Sequence, residues 1–208
     1  LGEPFGVKNE GFNPSASFKD RGMASAVSFL NHVMRVKNLE HVLGICASTG
    51  DTSAAAALYL SYLPKDKVSA VVLLPEGKVT AAQLSQPLSS GAKVIELPGV
   101  FDDCMRIVEE LAHDYNVFLL NSKNPVRILG QKSYAYEIAQ QLSWDVADLV
   151  AVVPVGNAGN ITAIMEGFLD LYELGLITEL PTILGVQSEH ADPVVRWRDS
   201  GEFKPVKV

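Results

Sequence analysis

Four stretches of this 208-residue sequence hold residue types that could do chemistry. The first is Asn13-Pro14-Ser15-Ala16-Ser17-Phe18-Lys19-Asp20-Arg21-Gly22, where a Pro/Ser-rich loop turns into an apolar helix. Asn13-Pro14 reads as a turn, Ser15 or Ser17 can cap the helix, and Phe18, Ala24, Val27, Leu30 and Met34 recur at roughly helical spacing. Lys19 therefore falls in the first turn. There the positive end of the helix dipole disfavours an ammonium, and exposed amides call for an anion. A neutral amine in that place can attack a carbonyl; the plainer alternative is a solvated lysine at a helix end.

The other three stretches are loops. Ala47-Ser48-Thr49-Gly50-Asp51-Thr52-Ser53 precedes a run of helix formers, and its small and hydroxyl residues let backbone amides and side chains converge on an anion, although a capping loop uses the same residues. Val155-Gly156-Asn157-Ala158-Gly159-Asn160 also leads into a helix, and its glycines permit close backbone approach, as in a phosphate cradle or a tight structural turn. Its spacing is not a Rossmann fingerprint and it lacks a P-loop lysine, which argues against a nucleotide. In Asn121-Ser122-Lys123-Asn124-Pro125-Val126-Arg127, the amide, hydroxyl and guanidinium could grip a second oxyanion, or the segment is an ordinary exposed loop. A helix-start lysine together with a phosphate cradle implies a cofactor that is an aldehyde and a phosphate ester, and pyridoxal phosphate is the natural candidate.

These groups need elements to place them. Short β-rich runs at 41–46, 68–74, 93–97, 117–120, 149–154 and 182–187 alternate with helical patterns at 53–63, 80–90, 101–114, 128–142 and 160–174. That alternation predicts parallel sheets covered by helices and joined by right-handed crossovers, an α/β fold. The strands are nearly continuous apolar runs, as strands buried on both faces should be. In such sheets ligands lie beyond the carboxyl ends of the strands, which is where the three loops fall.

The composition sets outer bounds. With 48% apolar and 20% charged residues the chain suits a globular protein with a sizeable core. A net charge of −7 without a Lys/Arg cluster argues against a nucleic-acid partner, and no uncharged apolar run approaches membrane-spanning length. Two cysteines, Cys46 and Cys104, fit free buried thiols in a reducing compartment, and we expect a cytoplasmic location. The opening Leu1-Gly2-Glu3-Pro4 has no initiator methionine or signal-peptide pattern and runs straight into a strand pattern at Phe5 to Lys8, so we expect part of a longer protein.

At this point the chain resembles the fold-type II pyridoxal-phosphate enzymes and, within them, the threonine synthase family. The resemblance spans nearly the whole chain. It rests on Ser17-Phe18-Lys19-Asp20-Arg21-Gly22, the segment Ala47 to Ser53, Asn121-Ser122 with Arg127 and Gly130-Gln131-Lys132, and Gly156-Asn157-Ala158-Gly159-Asn160, all in the family's order. It implies that Lys19 bonds the cofactor and shuttles protons, that Gly156, Asn157, Ala158, Gly159 and Asn160 hold the cofactor phosphate, and that Asp51 lies beside the cofactor's 3′ oxygen. It implies that Ser48, Thr49, Gly50 and Thr52 receive the substrate carboxylate and part of its phosphate, with Asn121, Ser122 and Arg127 completing that phosphate site. The implied reaction takes O-phospho-L-homoserine and water to L-threonine and phosphate, with no metal. The implied fold is two three-layer α/β domains like those of the tryptophan synthase β chain, with the cofactor between them. The smaller domain is 37–124, and 1–36 with 125–208 form an incomplete larger one.

Some positions depart from the family pattern. Ala16 stands where a glycine is frequent. Asp51 stands where many relatives carry asparagine, so its carboxylate must be protonated, offset by a neighbouring cation or turned away. No residue of this sequence stands out to face the pyridine nitrogen. Rival readings are another fold-type II enzyme, a serine/threonine dehydratase or a cysteine synthase-like protein, and a truncated non-catalytic relative. A homo-oligomer is compatible with the sequence, which does not specify one.

Overall fold

The computed structural model of the chain describes residues 5–201. Strands β1 (Val42–Ala47), β2 (Val68–Pro75), β3 (Lys93–Leu97) and β4 (Val117–Leu119) form one parallel sheet in the order β3-β2-β1-β4. Side chains alternate across a strand, and here they enter two different cores. Val42 and Cys46 of β1 and Val68, Val72 and Leu74 of β2 pack with α1 (Lys19–Val36) and α2 (Asp51–Leu60). Ile45, Ala47, Val71 and Leu73 face the other way, onto Cys104 and Val108 of α4 (Phe101–Asp114). Both faces are thus covered, which is why the strands read as unbroken apolar runs. Helix α3 (Ala81–Ser89) opens with a capping box between Thr80 and Gln83.

Helix α1 buries Met23, Ala26, Val27, Leu30 and Met34, a stripe at helical spacing. Each large member of such a stripe stabilises by about 1.5–3 kcal/mol when buried. The helix packs against both α2 and α5 (Pro125–Gln131). Its approach to α5 requires Gly22, because a Cβ there would lie 2.7 Å from Gln131 Nε2 and 2.9 Å from the Arg127 carbonyl oxygen.

The chain divides into two compact units, with the boundary in the chain between Gln131 and Lys132. In the second unit, β5 (Val150–Pro154) and β6 (Thr182–Val186) pair in parallel, connected through α7 (Gly159–Glu173). Helix α6 (Ser133–Gln141) and α7 close over a core of Ala135, Ala139, Val153, Ile164, Phe168 and Leu171. A Cβ at Gly167 would lie 2.8 Å from Ala135 Cβ, so the two helices meet at a glycine. Lys132 bonds Asp170 at 3.0 Å, and the Tyr136 hydroxyl donates to Asp170 Oδ2 at 2.6 Å, which ties the same pair together from outside.

Three local expectations need correction. The single helix expected over 128–142 is two helices, α5 and α6, since its halves pack in different units. Phe5 to Lys8 is not a strand: among the described residues no ladder pairs with it, and Phe5 and Val7 are exposed. A further helix, α8 (Pro193–Ser200), follows β6, and its signal was in the sequence as Asp192-Pro193 at the start and Gly201 at the end. Among the described residues no helix is long and apolar enough to cross a membrane.

Candidate active site

Lys19 is the first residue of α1. The N-cap residue is Phe18, which makes no side-chain cap, and of the two serines expected to cap only Ser17 reaches the first amide, its Oγ accepting from Lys19 N at 3.1 Å. Ser15 has a different role: its amide and its hydroxyl both donate to the carboxylate of buried Asp20, at 2.7 and 2.5 Å. The turn between them holds Ala16 at φ 60°, a left-handed conformation that a glycine would adopt without steric cost. The Lys19 side chain runs over the Phe18 ring, with Nζ 4.4 Å from the ring centroid, and ends 3.2 Å from Asp51 Oδ2. Of the three ways in which Asp51 could be accommodated, the structure thus shows a neighbouring cation. Asp51 is well exposed, so the pair holds direction more than it adds stability, about 0–1 kcal/mol.

Asp51 begins α2, and the loop before it is built without a side-chain cap. Ser48 Oγ accepts from the Gly50 amide at 3.3 Å, and Ser53 Oγ donates to the Gly50 carbonyl at 2.6 Å. Among the described residues the amides of Asp51 and Thr52 have no acceptor, and the hydroxyls of Thr49 and Thr52 have no hydrogen-bond partner. Such a turn presents donors to an anion.

The segment after β4 joins this loop through its first residue. The Ala47 amide donates to Asn121 Oδ1 at 3.0 Å, and Asn121 Nδ2 donates to the Ala47 carbonyl at 2.6 Å. Asn121 is buried, so its main work is to lock the ends of two neighbouring strands together. Ser122 is half-buried, beside an exposed ion pair of Lys123 with Glu109. Arg127 is not on an exposed loop: it is 3% exposed, and its Nη1 donates to the Leu120 carbonyl at 2.9 Å. Its Nε has no partner, and no carboxylate pairs with it among the described residues. Burial holds the guanidinium down at about 10, only partly countered by the nearby Cys46 thiol, which burial itself pushes up to about 12.

The glycine loop lies in the second unit. Ala158, at φ 60°, precedes α7 and supplies no side-chain cap, and among the described residues the amides of Gly159 and Asn160 have no backbone acceptor. A Cβ at Gly156 or at Gly159 would meet nothing within 4 Å. Asn160 Oδ1 is buried without a hydrogen-bond partner. Uncapped amides at the start of a 15-residue helix, beside room for a bulky group, fit a phosphate ester such as that of pyridoxal phosphate. In the first unit, the Lys19 amine at the carboxyl end of the sheet fits the aldehyde.

Glu10 went unremarked in the sequence, yet it accepts from Asn13 ahead of Lys19 and from Arg21 just after it. Its signal was weak, an acid eleven residues ahead of the base it pairs with.

A family model described as "Pyridoxal-phosphate dependent enzyme" matches residues 1–208. A threonine synthase of Methanocaldococcus jannaschii is 50% identical over 189 residues, covering 91% of this chain and 44% of that protein. A threonine synthase of Methanosarcina acetivorans is 47% identical over 199 residues, covering 94% of this chain and 46% of its own length. The chain therefore spans less than half the length of these relatives. Among solved structures, a threonine synthase from Brucella melitensis with pyridoxal phosphate bound superposes with a TM-score of 0.72 at 25% identity, over 96% of this chain and 43% of the other.

Proposed function

The chain belongs to the pyridoxal-phosphate dependent enzymes, and from that membership we propose that the protein converts O-phospho-L-homoserine and water to L-threonine and phosphate. The observation that carries the choice of substrate is Arg127, a buried cation with an unpartnered Nε and, among the described residues, no carboxylate paired with it. A buried charge left without a counter-ion is costly, and an anionic substrate group would relieve it. When bound, pyridoxal phosphate supplies the electron sink for carbanions formed as phosphate leaves the γ carbon and water adds at the β carbon.

The chain's own residues divide the rest of the work. Lys19 Nζ bonds the cofactor and then takes and returns protons, with Asp51 directing it. Asp51 would face the cofactor's 3′ oxygen. The backbone of Gly156, Asn157, Ala158, Gly159 and Asn160 holds the cofactor phosphate. The open amides and hydroxyls of Ser48, Thr49, Gly50 and Thr52 receive the substrate carboxylate and share its phosphate with Ser122 and Arg127. Asn121 belongs to this site chiefly by fixing the loop at Ala47. A smaller domain at 37–124, with 1–36 and 125–208 in a larger one, is part of the same reading, supported by the packing of α1 on α5. So is a cytoplasmic location.

The test compares parent and Arg127→Lys, which keeps the charge and loses the fork. Both should bind pyridoxal phosphate with the same visible spectrum. With O-phosphohomoserine, kcat/KM of the variant should fall by ~10²-fold, or about 2.7 kcal/mol. Equal turnover by parent and variant removes Arg127 from the site. A parent that deaminates serine or threonine and ignores O-phosphohomoserine overturns the substrate.

A further inference from the structure

We propose that Glu10 and Arg21, joined by Asn13, are positioning residues for Lys19, acting through the loop that leads the chain into α1. The inference rests on Lys19 being the amine that captures the cofactor. Arg21 Nε donates to Glu10 Oε2 at 2.6 Å and Nη2 to Glu10 Oε1 at 2.8 Å, so guanidinium and carboxylate meet in a two-bonded fork. Asn13 Nδ2 donates at 2.9 Å both to Glu10 Oε2 and to the Glu10 carbonyl. The two charged side chains are only 11% and 12% exposed. A shielded two-bonded pair holds one geometry, where an exposed single contact would not.

The fork closes the loop from outside, and the Ser15–Asp20 bonds close it from inside. Both residues that follow Lys19 are thereby anchored through their side chains, while Ser17 holds its amide. The Lys19 side chain bonds neither Glu10 nor Arg21: its partners among the described residues are Asp51 and the Phe18 ring. The closed loop also keeps Ala16 at φ 60°, a conformation costing an L-residue ~1 kcal/mol that the chain would shed if the loop opened. Losing the fork would let the loop relax and would shift the first turn of α1. A small misplacement of a reacting group is enough to slow its reaction severely.

The reaction to follow is the capture of pyridoxal phosphate, in which Lys19 Nζ bonds the aldehyde carbon and the carbonyl oxygen leaves as water. The full chain, freed of cofactor, is mixed with pyridoxal phosphate, quenched with borohydride at timed intervals and mapped by mass spectrometry, with urea midpoints measured in parallel. The parent should be labelled at Lys19. Glu10→Gln should slow that labelling by ~tenfold, and Arg21→Lys should slow it as well. The reversed pair, Glu10→Arg with Arg21→Glu, should restore most of the rate. If Glu10→Gln does not fold, Asn13→Ala serves instead, since it removes two hydrogen bonds to Glu10 and leaves the ion pair; it should slow labelling by ~threefold. Folded variants whose urea midpoint falls while Lys19 is labelled at the parental rate would show a merely structural fork and overturn the proposal. A parent labelled at another lysine overturns the assignment of Lys19 itself, and the fork's role with it.

Discussion

Ala16 shows how much one residue can carry. It sits at φ 60° in the turn ahead of Lys19, held by bonds on both sides of it, so the strain has nowhere to go while the loop is closed. Ala16→Gly removes the steric cost of the left-handed conformation, about 1 kcal/mol, but frees the unfolded chain by a similar fraction. We therefore expect a net gain of ~0.5 kcal/mol or less in urea unfolding, and a larger effect on the loop, read as faster amide exchange at residues 14–17. A loss of stability in Ala16→Gly would mean that the loop is not strained. Asn121 teaches the complementary lesson. Its amide type suggests a ligand contact, and the structure adds a second role, since Oδ1 and Nδ2 each bond the backbone of Ala47.

Among the elements, α7 combines two separable jobs. Its amino end presents uncapped amides, and at Gly159 an added side chain would meet no protein atom within 4 Å. Gly159→Val should therefore leave folding nearly unchanged and weaken pyridoxal-phosphate binding by at least ~10-fold, about 1.4 kcal/mol. Unaltered cofactor affinity in a titration of that variant would take the loop out of the site. The middle of α7 is latched to α6 by Asp170, whose carboxyl is held below its usual range first by the Tyr136 hydroxyl and then by Lys132. Tyr136 is correspondingly pushed up to about 12, by burial and then by Asp170, and Lys132 is raised by the same carboxylate.

The signs of these shifts define a pH window. Asp170, with its folded value depressed, contributes above the ordinary carboxylate range, and that stability is lost as pH falls through the depressed value. Tyr136 and Lys132, with raised folded values, contribute below their ordinary range and lose this as pH rises through the folded ones. The latch is thus complete from about pH 5 to 9. Asp170 is partly exposed, so Tyr136→Phe should cost only about 1 kcal/mol inside that window. The difference from the parent should shrink at pH 3, and a constant difference across the range would contradict the latch.

On the scale of the whole molecule, the two cysteines report on the first unit from opposite faces of its sheet. Cys46 packs with α1 and α2, and Cys104 lies on the α4 side. Burial raises both thiols, Cys46 to about 12, so neither should react with iodoacetamide at pH 8 in the native protein. If the unit unfolds as one, both should become reactive at the same urea midpoint, and well-separated midpoints would reveal independent layers. Much of this architecture was legible beforehand. The alternation of apolar runs with helical stripes determined a parallel α/β fold, and four motifs in one order determined the family, because backbone period and loop chemistry are local properties. Tertiary structure alone decided how the side chains are used. The break between α5 and α6, the missing strand at Phe5 to Lys8, the burial of Arg127 and the fork of Glu10 with Arg21 all depend on which distant segments meet. Sequence spacing carries no record of that, since a residue's partner in the fold need not be near it in the chain.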